Sequence, residues 1–97
     1  MCIVQATGRG KSREDIEHLC QFYRTTIIQA MITNGGFQEG RCATAVDDPC
    51  ALLIDEHWGS LPALEWWQAS EAHQHFLRQI EDWLEGPLTC KIYEEVS

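Results

Sequence analysis

The chain has 97 residues, 44% of them apolar and four of them tryptophan, with seven basic against fifteen acidic side chains and a formal charge of −8. One domain over residues 1–97 follows from that length, and the apolar content excludes disorder. The acidic balance argues against nucleic acid as a partner, and the longest strictly apolar run, Ala51–Leu52–Leu53–Ile54, is far too short to span a membrane.

The first residues, Met1–Thr7, read as a strand that runs into a Gly8-Arg9-Gly10 turn. They carry no basic leader and no apolar stretch of the length secretion needs. Ser12 caps a helix, with Glu14 and Asp15 at the positive end of its dipole. Ile16, Leu19, Cys20, Tyr23, Ile27, Ala30 and Met31 recur at helical spacing, and Asn34-Gly35-Gly36 ends the run. Phe37 to Val46 is strand-like, with Gly40 a candidate bulge, and Asp47-Asp48-Pro49 reads as a turn. From Cys50 to Trp58 the alternation puts Leu52, Ile54, Glu56 and Trp58 on one face. Ala51, Leu53, Asp55 and His57 fall on the other. Ser60 caps a short helix with Pro62 in its first turn, and Ser70 caps a second. The stripe of that second helix is Ala72, Phe76, Leu77, Ile80, Trp83 and Leu84. Gly86-Pro87 stops it, and Leu88 to Val96 is the last strand. The order β-α-β-β-α-α-β predicts an α+β, ferredoxin-like fold with an antiparallel sheet.

The five cysteines, Cys2, Cys20, Cys42, Cys50 and Cys90, are odd in number and widely spaced, without a C-x-x-C pair. They are expected to be buried free thiols of a cytoplasmic protein, with no zinc site. His73 and His75 stand about 200° apart on a helix, too divergent for a shared metal. His73 falls on the apolar stripe, as either a satisfied inward histidine or a pocket acid/base. His75 falls on the polar side, within reach of Glu71. Asp55 and His57 share a strand face. They form either a polar rim or contact pair, or an oriented imidazole for proton transfer. Trp58, Trp66 and Trp67 either fill the core and an interface or line an aromatic cavity. No metal and no cofactor are expected. Small size with many large apolar side chains points to a second copy supplying part of the core.

The series Val46-Asp47-Asp48-Pro49, Leu52 to Trp58 with its Glu-x-Trp ending, Ser60, Ala63-Leu64-Glu65 and Ser70 to Phe76 resembles the antibiotic-biosynthesis monooxygenase family. Gly36 and Tyr93 fit the same pattern, and the likeness runs over essentially the whole chain. It implies a homodimeric α+β barrel joined through the sheets. It also implies oxygenation of a small aromatic, quinol-like or polyketide-like substrate without metal or flavin. On that reading His73 or His57 handles the proton, Arg41 partners an anion, and Trp58, Trp66, Trp67, Thr7 and Phe76 hold the substrate. The chain departs from the family at Trp67, where histidine is common, and at Ser70-Glu71-Ala72, where Ser-Pro-His is common. The heme-degrading branch of the superfamily shares only the tryptophan on the short helix; Thr7 stands for its asparagine, and Phe76 or Leu77 for its iron-binding histidine. A non-catalytic small-molecule-binding or regulatory dimer is the reading from another class.

Overall fold

A computed structural model describes residues 1–96. Its elements are β1 (Cys2–Arg9), α1 (Arg13–Phe22), a π-helical turn (Tyr23–Ile27), α2 (Ile28–Asn34), β2 (Phe37–Ala45), β3 (Asp48–Trp58), α3 (Leu61–Gln68), α4 (Glu71–Ile80) and β4 (Thr89–Glu94). The four strands form one antiparallel sheet in the order β2-β3-β1-β4. The helices pack on one face of it, so the α+β, ferredoxin-like arrangement expected from the sequence is the one observed.

The long first helix is not a regular α-helix, and its sequence explains why. Leu19, Tyr23, Ile27 and Met31 are all buried and each is four residues from the next. At 3.6 residues per turn, three such steps drift by roughly 120° around the axis. A π turn at Tyr23–Ile27, closed by the Ile28 N–H on the Tyr23 carbonyl, absorbs the drift and keeps all four side chains on the sheet. Asn34 is the last helical residue, and Gly35 and Gly36 follow with φ of 95° and 80°. That is the left-handed region in which glycine is the least strained residue. The caps at Ser12, Ser60 and Ser70 form as expected; each side chain accepts a backbone N–H three residues on.

Several details differ from the sequence reading. β1 continues through Gly8 and Arg9, which were expected in a turn, and pairs there with Leu52 and Ala51 of β3. α4 ends at Ile80, so Trp83 and Leu84 of its expected stripe lie beyond the helix. β3 begins at Asp48 rather than Cys50, and the turn is Val46-Asp47. Asp48 is held there by Arg9, 2.6 Å away, and accepts the Cys50 N–H. Pro49 falls in the irregular stretch between the Thr44–Leu52 and Ala45–Asp48 pairs, where its missing N–H is not demanded. Gly40 is not a bulge. It pairs in register with Glu56, and the irregularities lie at Phe37–Glu39 and Thr44–Ala45. β4 is shorter than Leu88–Val96, and as an edge strand it is exposed along its length.

The core lies between sheet and helices. Cys2, Val4, Ala6, Leu52, Ile54 and Trp58 project from the sheet against Ile16, Leu19, Tyr23, Leu64, Trp67, Phe76 and Ile80. Phe76 and Ile80 of the predicted α4 stripe are buried, whereas Ala72 is exposed. Of the cysteines only Cys2 is fully buried. Cys20 on α1, Cys42 on edge strand β2 and Cys50 at the start of β3 are half-buried, and Cys90 on edge strand β4 is exposed, because apolar neighbours in sequence do not by themselves cover a side chain. No helix is long and apolar enough to cross a membrane.

Candidate functional site

A cavity of about 370 Å³ opens between the sheet and the α3–α4 layer. Val4, Ala6, Ile54, Glu56 and Cys90 form its sheet wall. Trp67, Gln68, His73, Phe76, Leu77 and Ile80 form its helical wall, and Gly86, Pro87 and Leu88 border it. The surface is mainly apolar with a few polar groups, the composition of a small-molecule site.

Glu56 is the polar centre of the sheet wall and is 8% exposed. Tyr23 Oη donates to its Oε2 at 2.7 Å, and Trp58 Nε1 donates to its Oε1 at 3.1 Å. Burial raises the Glu56 carboxyl above its ordinary range, and the two hydrogen bonds oppose that rise. One donor on each oxygen suits an ionised carboxylate, whose oxygens only accept. Tyr23 is pushed up in turn, by desolvation and then by the adjacent charge, so its hydroxyl stays a donor. This geometry depends on Gly40. A Cβ there would stand 2.5 Å from Tyr23 Oη, so the glycine leaves the space through which the hydroxyl reaches Glu56.

His73 comes to the helical wall on α4, half-buried and edge-on to Trp67 with ring centroids 5.5 Å apart. Desolvation lowers its pKa, and the nearby Gln68 carbonyl opposes this less strongly. Its Nδ1 is buried and has no hydrogen-bond partner among the described residues. A neutral imidazole at such a site can take a proton.

The structure brings together only some of the residues singled out in the sequence. His73, Trp67 and Phe76 line the cavity. Trp58 lies behind it, stacked on Trp67 with centroids 6.4 Å apart, and reaches it only through Glu56. His57, Arg41 and Thr7 lie on the opposite sheet face, because strand alternation turns them away from Glu56, Gly40 and Ala6. There His57 sits 3.3 Å from Asp55, and Arg41 is exposed and paired with Glu39. Trp66 is 75% exposed, since its neighbour Trp67 takes the inward position on α3. His75 is exposed and makes no ion pair with Glu71 among the described residues. Glu56 and Tyr23 were not picked out in the sequence as site residues. The available signal was one acidic residue in the apolar half of the β3 alternation.

No protein-family model matches the chain, and no curated protein is found to be similar to it. Solved structures are. A protein of Deinococcus radiodurans assigned provisionally as an antibiotic biosynthesis monooxygenase is 26% identical, with a TM-score of 0.84 over 100% of this chain and 94% of that one. A Nitrosomonas europaea protein with the same provisional assignment is 16% identical, with a TM-score of 0.81 over 100% of both chains. A Streptomyces coelicolor monooxygenase in complex with the ligand nanaomycin D is 13% identical, with a TM-score of 0.86 over 99% of this chain and 88% of that one. The resemblance read from the residues is thus matched in three dimensions: the chain folds as proteins named antibiotic biosynthesis monooxygenases fold.

Proposed function

We propose that the protein is a cofactor-independent monooxygenase that oxidises a small planar aromatic, quinol-like or polyketide-like substrate in the cavity between the sheet and α3–α4. The observation that carries this reading is the cavity itself: about 370 Å³, walled by Trp67 and Phe76, with His73 and Glu56 as polar groups. The chemistry needs little from the protein. An acidic phenol or anthrone gives up a proton, and its anion then passes an electron to oxygen. A water-poor aromatic site and a proton acceptor support that sequence. His73 is the acceptor in this reading, because its unpartnered Nδ1 and desolvated ring favour the neutral form. The ligand held by the Streptomyces coelicolor neighbour supports a cavity of this kind.

The working unit in this reading is a cytoplasmic homodimer joined through the outer sheet face, which no helix covers, with total burial of roughly 1,200–2,000 Å² or more. Light scattering that shows a stable monomer at micromolar concentration would remove the dimer. The activity is tested by oxygen uptake with a panel of quinols and anthrones. His73→Ala should lower turnover on the order of 10²-fold. His75→Ala, on the polar side of the same helix, should leave it nearly unchanged. A second reading, a non-catalytic small-molecule-binding dimer, is favoured by one observation: no Lys or Arg lines the cavity to hold a developing anion. Ligand binding without oxygen uptake across the panel would decide for it.

A further inference from the structure

The cavity's polar groups are unequal in a way that bears on what it accepts. Glu56 is fixed by Tyr23 and Trp58, one donor on each carboxylate oxygen. Each oxygen has a second lone pair, so the group can still accept a hydrogen bond from the cavity side. Its surroundings favour that use. Ile54, Val4 and Ala6 flank it on the sheet wall and offer no side-chain donor, and Cys90 on the same wall offers only the weak donor of a thiol. No lysine or arginine borders the cavity, whereas Glu56 and Glu81 do. The rigidity of the arrangement is built in at three points. The π turn begins at Tyr23, Gly40 leaves room for the tyrosine hydroxyl, and Trp58 is fully buried.

We propose that Glu56 is the specificity-determining group of this cavity, accepting the hydroxyl hydrogen of an uncharged, planar, hydroxyl-bearing aromatic ligand and discriminating against anions and O-alkylated analogues. The inference rests on the cavity being the substrate site proposed above. It assigns a role that His73 does not fill. The carboxylate selects and orients one hydroxyl, which keeps its hydrogen, and the imidazole on the opposite wall takes the proton from a second acidic position of the substrate, the other hydroxyl of a quinol or the acidic C–H of an anthrone. A ligand carboxylate would meet a like charge in an apolar setting with no cation to offset it, and burying an unpaired charge is strongly unfavourable. A methyl ether would leave the second lone pair of Glu56 facing carbon.

The test is equilibrium binding measured without oxygen, so that it does not depend on turnover. The probes are 1-naphthol, 1-methoxynaphthalene and 1-naphthoate, followed by quenching of tryptophan fluorescence and by calorimetry. The intact protein should bind 1-naphthol about tenfold or more tightly than the ether, since a hydrogen bond to a charged acceptor is being lost. It should bind 1-naphthoate more weakly still. In Glu56→Gln, an isosteric change, the preference for the naphthol should shrink and the exclusion of the naphthoate should relax. The ligand series on the unmodified protein decides the matter even if that variant folds poorly. Equal binding of the three probes, tighter binding of the naphthoate, or no binding of 1-naphthol overturns the proposal. A naphthol preference without oxygen uptake by any quinol would remove the oxygenase reading and leave this one standing. Oxygen uptake without the preference would do the reverse.

Discussion

Strand β3 carries two adjacent carboxylates with opposite fates. Glu56 faces the helices, is 8% exposed and is held by two neutral donors. Asp55 faces away from them, and its partner is His57, on the same face. The difference is one residue of strand phase. Toward the helices a carboxylate must be satisfied by specific donors and paid in desolvation; away from them it needs only a loose partner. Site chemistry therefore concentrates on the covered face, and the open face is the one that the proposed dimer would use.

Removing the largest side chain from the covered face should give the largest effect. Trp58 is fully buried, packs edge-on to Phe37 and stacks on Trp67. Trp58→Ala should cost about 3–5 kcal/mol, much of the margin of a domain this size. Gln5→Ala, on the open face of β1, should stay within about 0.5 kcal/mol. Urea unfolding of both variants measures the contrast, and similar midpoints would mean that the two faces are not energetically distinct.

Gly40→Ala sharpens the comparison at one site. The added Cβ would lie 2.5 Å from Tyr23 Oη and 2.9 Å from the Phe37 ring. Overpacking of this kind should cost about 1–3 kcal/mol. In a Tyr23→Phe background the hydroxyl is gone, so the cost of Gly40→Ala should fall while the Phe37 contact keeps some of it. Additive costs in the double-mutant cycle would show that the glycine does not serve the tyrosine.

The covered face also predicts a pH signature. Desolvation raises the Glu56 carboxyl, so the native state holds that proton more tightly than the unfolded chain. Stability from this group is therefore greatest below the ordinary carboxylate range and declines as pH rises through the native value. His73 acts in the opposite sense. Its pKa is lowered, so its contribution is complete above the ordinary histidine value and is lost as pH falls toward the native one. The two slopes partly cancel in the unmodified protein. Glu56→Gln should uncover the histidine slope, with stability rising with pH, and His73→Ala should uncover the carboxylate slope. Parallel stability profiles for all three proteins would refute both assignments.

These contrasts show which features the sequence carried. Alternation from Leu52 to Trp58 assigned the covered face correctly, because period two is a local property of an extended chain. The phase of α4 put His73 inward and His75 outward for the same kind of reason. What the sequence did not disclose depends on contacts across the fold. Tyr23 and Glu56 are 33 residues apart and meet only when the π turn brings the helix over β3. Gly40 read as a bulge because a glycine in a strand has two common uses, and which one applies depends on the side chain above it. His57, Arg41 and Thr7 were given site roles by the family resemblance, and strand phase places them on the opposite face from the cavity.

The smallest expected effect is on the open face and bears on whether that face stays open. His57 Nε2 is 3.3 Å from Asp55 Oδ2, with the side chains 30% and 21% exposed. A pair still in contact with water is worth about 0.2–1 kcal/mol. A double-mutant cycle of Asp55→Asn and His57→Gln should return a coupling in that range when the protein is dilute. If a second copy covers this face, the pair loses water there, its two members interact more strongly, and the coupling becomes linked to association. The cycle is therefore to be measured at low protein concentration and again about a hundredfold higher, a range over which mass action shifts a dimer's stability by a few kcal/mol. The expected result is a coupling that grows with concentration in the pair and not in Gln5→Ala, whose side chain shares the face without the charge. A coupling that is constant across that range would mean that no partner covers Asp55 and His57, and would count against joining two copies through this side of the sheet.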